Sequence, residues 1–231
     1  MVEKARIRQA SMSDVAEIIH VENETWPLGE AATEEMFRSR IEVFPQGVFV
    51  AEYQGRLVGV VAFQRMHYNL DTPISTWREA TDNGMTRASH NPEGETIFGI
   101  DLSATPLAPP KTGTRLLAEV GRYAIYHNLK RGILGGRIPN YRQYSNRMTP
   151  EEYLEARYAR GEPLDPEVRF YKRAGLKIGR VIPGYFDDPD SLSYGVLLIW
   201  ENPFYVKNRV LVALVKPFAI LGFHIYLRIK M

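Results

Sequence analysis

The residues best suited to chemistry gather at one junction. Pro109-Pro110-Lys111-Thr112-Gly113-Thr114 leads into a helical run through Leu116, Leu117, Val120, Tyr123, Ala124 and Leu129. The first turn of such a helix presents unpaired N–H groups and about half a positive charge, which together cradle a phosphate or pyrophosphate. Gly113 lets the backbone approach an anion closely. Lys111 adds a point charge if its side chain turns outward and obstructs the loop if it turns inward. The plain alternative is a stiff loop ahead of an ordinary helix. The segment that feeds this loop, Glu95 to Thr105, alternates: Thr96, Phe98, Ile100 and Leu102 share one face, and Glu95, Gly99, Asp101 and Ser103 broadly share the other. Its polar face therefore carries two carboxylates, Asp101 and Glu95.

Strand, tight loop and helix are the elements that must position these groups. A further strand, Gly132 to Ile138, completes a crossover unit, and the right-handed rule puts its two strands side by side and parallel. Ahead of the unit, Ala5 to Ala10 reads as a strand, Ser13-Asp14 caps a helix through Val15, Ile18 and Ile19, and a second helix covers Thr33 to Ile41. Gly47 to Tyr53 and Arg56 to Arg65 form a hairpin about Gln54-Gly55. Asn69 to Asn91 is polar and aperiodic, a length that inside a compact domain more often serves as a functional lid than as a connector. After the unit, Thr149-Pro150 and Asp165-Pro166 each start a helix, and Gly175 stops the second. Leu176 to Pro183 and Leu192 to Trp200 read as the last strands.

Composition narrows the function classes. The chain has 231 residues, 45% apolar and 24% charged, without cysteine, so disulfide frameworks, thiolate metal sites and cysteine nucleophiles are excluded. The five histidines show no metal-ligand spacing, and no metal is expected. The start lacks an apolar secretory region, which places the catalytic body in the cytoplasm and leaves the Asn23-Glu24-Thr25 sequon without glycosylation. Residues 202 to 231 hold Lys207, Arg209, Lys216, Arg228 and Lys230 and no acidic residue. With 29 basic and 27 acidic residues in all, removing these five leaves the body acidic by three, which argues against nucleic acid as a partner.

The element order resembles the GNAT superfamily of acyl-CoA-dependent N-acyltransferases. Where that family has a loop of pattern Gln/Arg-x-x-Gly-x-Gly/Ala between strand and helix, this chain reads Ala108-Pro109-Pro110-Lys111-Thr112-Gly113 and keeps only the last glycine. Arg169-Phe170-Tyr171-Lys172-Arg173-Ala174-Gly175-Leu176 looks like the family's Tyr-x-x-x-Gly-Phe segment with Leu176 in place of Phe. Gly135-Gly136-Arg137-Ile138-Pro139-Asn140-Tyr141 and Met148-Thr149-Pro150-Glu151-Glu152-Tyr153 resemble the subgroup of GNAT domains often fused to carbon–nitrogen hydrolases, an enzyme this chain is too short to include. The resemblance implies an α/β fold over residues 1 to 202, with a mixed central sheet of six to seven strands flanked by helices. It implies acetyl-CoA or a longer acyl-CoA as donor, held through Leu102, Ser103, Ala104, Lys111, Thr112, Gly113 and Thr114, and a primary amine as acceptor.

Acyl transfer from a thioester to an amine needs a neutral nucleophile, donors to the oxyanion and a proton for the departing thiolate. Freeing an alkylamine of pKa ~10.4 from its proton at neutral pH costs ~4.6 kcal/mol, so a base must stand near. Asp101 is the first choice and Glu95 the reserve. A carboxylate near pKa ~4 needs desolvation, or a relaying water, to act in this way. Tyr171 matches the family's general-acid tyrosine, and a phenol of pKa ~10 suits protonation of a thiolate. The plain alternatives are a sheet-surface carboxylate and a tyrosine that only packs. Trp26, Trp77, Tyr141, Arg142, Tyr144 and Arg147 are candidates to shape an acceptor pocket. The eroded phosphate loop keeps a second function class open, a non-catalytic acyl-CoA-binding or interaction module.

Residues 203 to 231 form a hydrophobic, basic tail. Val210 to Leu227 nearly reaches bilayer-spanning length, with an insertion gain of roughly 3 to 7 kcal/mol set against about 3 for Lys216. At helical spacing Leu211, Leu214, Val215, Phe218, Leu221 and Ile225 share one face while Arg209 and Lys216 lie opposite. That pattern suits a helix lying on the inner face of an anionic membrane, through residues 204 to 231. The alternative is a hydrophobic arm packed on the body or on the second subunit of a homodimer.

Overall fold

A computed structural model describes residues 3–27, 29–74 and 76–230. β1 (Arg6–Gln9) leads to α1 (Val15–Thr25) and α2 (Glu34–Val43). The Thr33 side chain caps α2 by accepting from the Met36 N–H. β2 (Val48–Tyr53) and β3 (Arg56–Met66) make the expected hairpin, with Gln54 and Gly55 both at positive φ as its two-residue turn requires. Among the described residues of the polar segment that follows, the only helix is the short α3 (Trp77–Ala80). It is tied down: the Gln64 amide donates to the Ala80 carbonyl, Arg40 Nε to that of Gly84 and the Ser39 hydroxyl to that of Met85.

β4 (Thr96–Ala104), α4 (Thr112–Tyr126) and β5 (Arg131–Gly136) form the crossover unit, with β4 and β5 parallel as expected. α5 (Pro150–Glu155) carries a reciprocal cap between Thr149 and Glu152. α6 (Pro166–Arg173) starts under a buried Asp165, whose carboxylate accepts from the Glu167 and Val168 N–H groups, and ends at Gly175 with φ 95°. β6 (Lys177–Ile182), β7 (Gly195–Glu201) and α7 (Arg209–Lys230) complete the chain.

The seven strands make one mixed sheet in the order β1-β2-β3-β4-β5-β7-β6, antiparallel except at β4–β5. That is the α/β architecture expected from the sequence, with seven strands. Two irregularities matter for function. β4 and β5 pair only from Thr96–Arg131 to Gly99–Leu134, so beyond that point Ile100 to Ala104 and Gly135–Gly136 diverge as a fork. At the same level β3 pairs Ala62 with Asp101 and the next residue, Phe63, with Gly99, so Ile100 is an extra residue that bulges β4. The bulge corrects the expected alternation. Ile100 packs with the α1–α2 core, Asp101 bonds α2 on that same face, and Leu102 packs with Leu116 of α4 on the other.

The tail is helical and packs on the body, the alternative to a membrane helix that the sequence left open. Ala219 and Phe223 are buried against Ala118 and Ile125 of α4, while Leu211, Leu214, Phe218 and Leu221 face outward. Among the described residues no helix is long and apolar enough to cross a membrane. The side chains of Arg209, Lys216 and Ile225 lie outside the described residues.

Candidate active site

A cavity of about 1060 Å³ passes through the fork and opens on both faces of the sheet. On the α4 face it meets Leu102 and Ala104 of β4 and Gly113 and Thr114 in the first turn of α4. The Thr112 N–H turns back to the Pro109 carbonyl, and the first regular helical bond is Arg115 N–H to Lys111, so the Gly113 and Thr114 amides lie between them at the positive end of α4. A Cβ at Gly113 would come 3.3 Å from the Phe170 ring, so glycine keeps this wall open. Lys111 sits at φ 70°, is exposed and lies outside the cavity lining, so it does not plug the cradle. Thr112 and Ser103 are buried beside the cavity without lining it: the Thr112 hydroxyl donates to Pro109, and Ser103 Oγ accepts from the Trp26 indole at 2.7 Å.

Two neighbouring turns of α6 face the fork. Glu167 and Tyr171 are four residues apart, hence on one side of the helix, and both line the cavity. Burial, followed by the charges of Glu167 and Asp101, raises the Tyr171 phenol above its ordinary value. Burial likewise pushes the Glu167 carboxyl up to about 7, against partial relief from Arg137. A carboxyl poised there at neutral pH is both an acceptor and a donor of protons.

On the opposite face the lining includes Trp26, Glu30, Thr33, Trp77, Arg137 and Asp188. Arg137 is held by Asp188, Nε to Oδ2 at 2.8 Å and Nη2 to Oδ1 at 3.0 Å, with Glu30 at 3.6 Å and the Trp26 ring 5.2 Å from its guanidinium carbon. Ser191 donates its hydroxyl to the same Asp188. Burial raises the Glu30 carboxyl, Arg137 opposes the rise, and Asp188, Asp190 and Asp187 add to it. The Trp77 indole donates to the Ile100 carbonyl at 3.1 Å, which gives the bulged residue a partner.

The structure brings Leu102, Ala104, Gly113, Thr114, Asp101 and Tyr171 to one cavity. Asp101 arrives already engaged: its Oδ2 accepts from Arg40 Nη1 at 3.0 Å, and the two side chains are 5% and 2% exposed. Beside this pair Glu22 is fully buried, and desolvation and the Asp101 charge push its carboxyl up to about 8. Glu95 stands elsewhere, exposed before the start of β4, with its carbonyl accepting from the Lys130 N–H. Six residues of strand separate it from Asp101, about 20 Å. Trp26 and Trp77 line the cavity as anticipated. Tyr141, Arg142, Tyr144 and Arg147 do not, and Tyr141 and Tyr144 pack at a tilt against Tyr153 in a separate core. Sequence reasoning missed Glu167, Arg137 and Glu30. Glu167 could have been found from its four-residue spacing to Tyr171. Among the described residues no cluster suited to a metal ion occurs.

No protein-family profile matches the chain. It is 32% identical over 210 residues to the uncharacterized N-acetyltransferase YkwB of Bacillus subtilis (strain 168), covering 89% of this chain and 92% of that one. It is 34% identical over 208 residues to the probable hydrolase YhcX of the same organism, covering 89% of this chain and only 40% of YhcX. Among solved structures, the GphF GNAT-like decarboxylase in complex with isobutyryl-CoA superimposes with a TM-score of 0.73 at 25% identity, over 85% of this chain and 99% of that one.

Proposed function

Since the chain belongs to the GNAT superfamily of N-acetyltransferases, we propose that it moves an acyl group from acyl-CoA to a primary amine. The observation that carries this reading is the fork: it opens beside Tyr171 and Glu167 and lies in one cavity with the first turn of α4. In this reading the Gly113 and Thr114 amides hold the diphosphate. The edge of β4 that β5 leaves uncovered offers backbone groups to the pantetheine arm and to the thioester carbonyl.

The amine arrives from the α1–α2 face. Glu30, Asp187 and Glu167 favour its ammonium form there, whereas Arg137 is already neutralised by Asp188. Glu167 accepts the ammonium proton, and the free amine attacks the thioester carbon. A C–N bond forms, negative charge collects on the carbonyl oxygen, and its return expels the thiolate as the C–S bond breaks. Tyr171 gives its proton to the thiolate sulfur, and the nitrogen, cationic after attack, returns a proton to the phenolate to leave a neutral amide. Asp101, held by Arg40, shapes the wall of the fork and is not the base.

An assay for free thiol across a panel of amines tests the reading. Wild-type protein should release thiol only when amine is present. Tyr171→Phe should lower turnover by at least tenfold while acyl-CoA binding persists, and unchanged turnover removes Tyr171 from the mechanism. Protein that is stabilised by acyl-CoA but releases no thiol with any amine is a binding module.

The overlay on a GNAT-like decarboxylase supports a second reading, loss of CO2 from a 2-carboxyacyl-CoA. It needs a free cation to seat the substrate carboxylate, and the engagement of Arg137 with Asp188 weighs against it. Release of CO2 without amine would favour it.

A further inference from the structure

The cavity continues past the fork. On the α4 face it runs down as a slot walled by Leu117, Gly121 and Ala124 of α4 and by Gly132 and Trp200 of the sheet, with Phe223 of α7 as its floor. Apart from the Trp200 indole N–H, no polar side chain lines this stretch among the described residues. Leu117 at the top and Ala124 near the bottom are seven residues apart on one helix, so the slot is about 10 Å deep.

Two glycines and the tail create this space. A Cβ at Gly132 would meet nothing closer than Trp200 Cε3 at 3.8 Å, so the strand here leaves room. A Cβ at Gly121 would come 3.0 Å from Phe223 Cζ, so glycine allows α7 to seat its phenyl ring against α4. Phe223 and Ala219 are buried in that seat.

We propose that the slot holds the hydrocarbon chain of the acyl donor, so that the substrate is a long-chain acyl thioester and α7 sets the length accepted. The proposal rests on the acyl-CoA reading above and specifies its donor. An acetyl group ends at the fork and leaves the slot unfilled. A polar occupant such as an adenine ring or an amine would give up its hydrogen bonds to water among these walls. A hydrocarbon chain gains contact with each methylene and loses none. The path is also continuous, because the first turn of α4, the fork and the slot line one cavity.

Calorimetry on the full chain with CoA and with acetyl-, octanoyl- and lauroyl-CoA tests this. Affinity should rise with chain length, with lauroyl-CoA at least tenfold tighter than acetyl-CoA. Gly132→Val narrows the slot with little backbone disturbance and should abolish that gain while acetyl-CoA binds as before. Phe223→Ala deepens the floor and should shift the preference to longer chains. Equal affinity for all acyl-CoAs, or a gain with length that survives Gly132→Val unaltered, overturns the slot and leaves the acyl-CoA reading in place. Failure of every CoA species to bind removes both.

Discussion

Glu167→Gln separates what a buried carboxyl does for catalysis from what it costs the fold. The surroundings hold its pKa at about 7 in place of an ordinary 4.5. At 1.36 kcal/mol per unit, a rise of about 2.5 units corresponds to about 3 kcal/mol less stability when the group is ionised. Because the folded value lies above the unfolded one, the penalty is absent below about pH 4.5, grows between there and about pH 7, and stays constant above. Glutamine keeps the shape and carries no charge. The variant should therefore match wild type at pH 4 and exceed it at pH 8 by up to about 3 kcal/mol, or about 6–12 °C in Tm for a chain of this size. Part of that gain is lost because the Arg137 N–H gives up an anionic acceptor. Turnover should move the opposite way, falling by roughly 10²–10⁴ with loss of the base. In wild type kcat/KM should climb through pH 7, and in the variant that inflection should vanish. Scanning calorimetry at the two pH values and a pH–rate profile read both effects. A lower Tm at pH 8, or an inflection near pH 7 that survives the substitution, refutes the reasoning.

Two other substitutions probe the frame around the fork. Arg40→Met strips the buried Asp101 carboxyl of its cation and removes the donor to Gly84, so denaturant melts should show a loss of about 3–5 kcal/mol, much of it recovered when Asp101→Leu is added. Gly113→Val crowds the first turn of α4 against Phe170, so acyl-CoA affinity should fall at least tenfold with Tm nearly unchanged.

The frame was legible where a local rule decides it. Gln54-Gly55, Thr149-Pro150 and Asp165-Pro166 each set one element boundary by turn or cap chemistry, and the structure follows them. The crossover unit and the loop at Gly113 followed from periodicity and helix-end physics. What the sequence hid depends on contacts distant along the chain. Asp101 reads as a free carboxylate until Arg40, 61 residues away, reaches it. Glu167 reads as an ordinary first-turn acid, because the burial that shifts it and the Arg137 N–H that bonds it arise only once the chain has folded. Alternation placed Phe98 and Ile100 together correctly but put Asp101 on the opposite face from Ile100 and Leu102 on the same one, the reverse of the structure, since nothing local announces a bulge. The outward apolar stripe of α7 matches the face marked from sequence, but its inner face, Ala219 and Phe223, needed α4 to define it.

The single surplus residue in β4 makes the opening of the sheet a matter of counting. Deleting Ile100 would restore strict two-residue periodicity with Asp101 still on the face of α1 and α2, straighten β4 where it now bends, and remove the carbonyl that the Trp77 indole bonds. Few exchanges of one side chain for another could do as much. The gap between the two parallel strands should therefore tolerate wide variation in residue type along its rim, yet collapse when this strand is shortened by one.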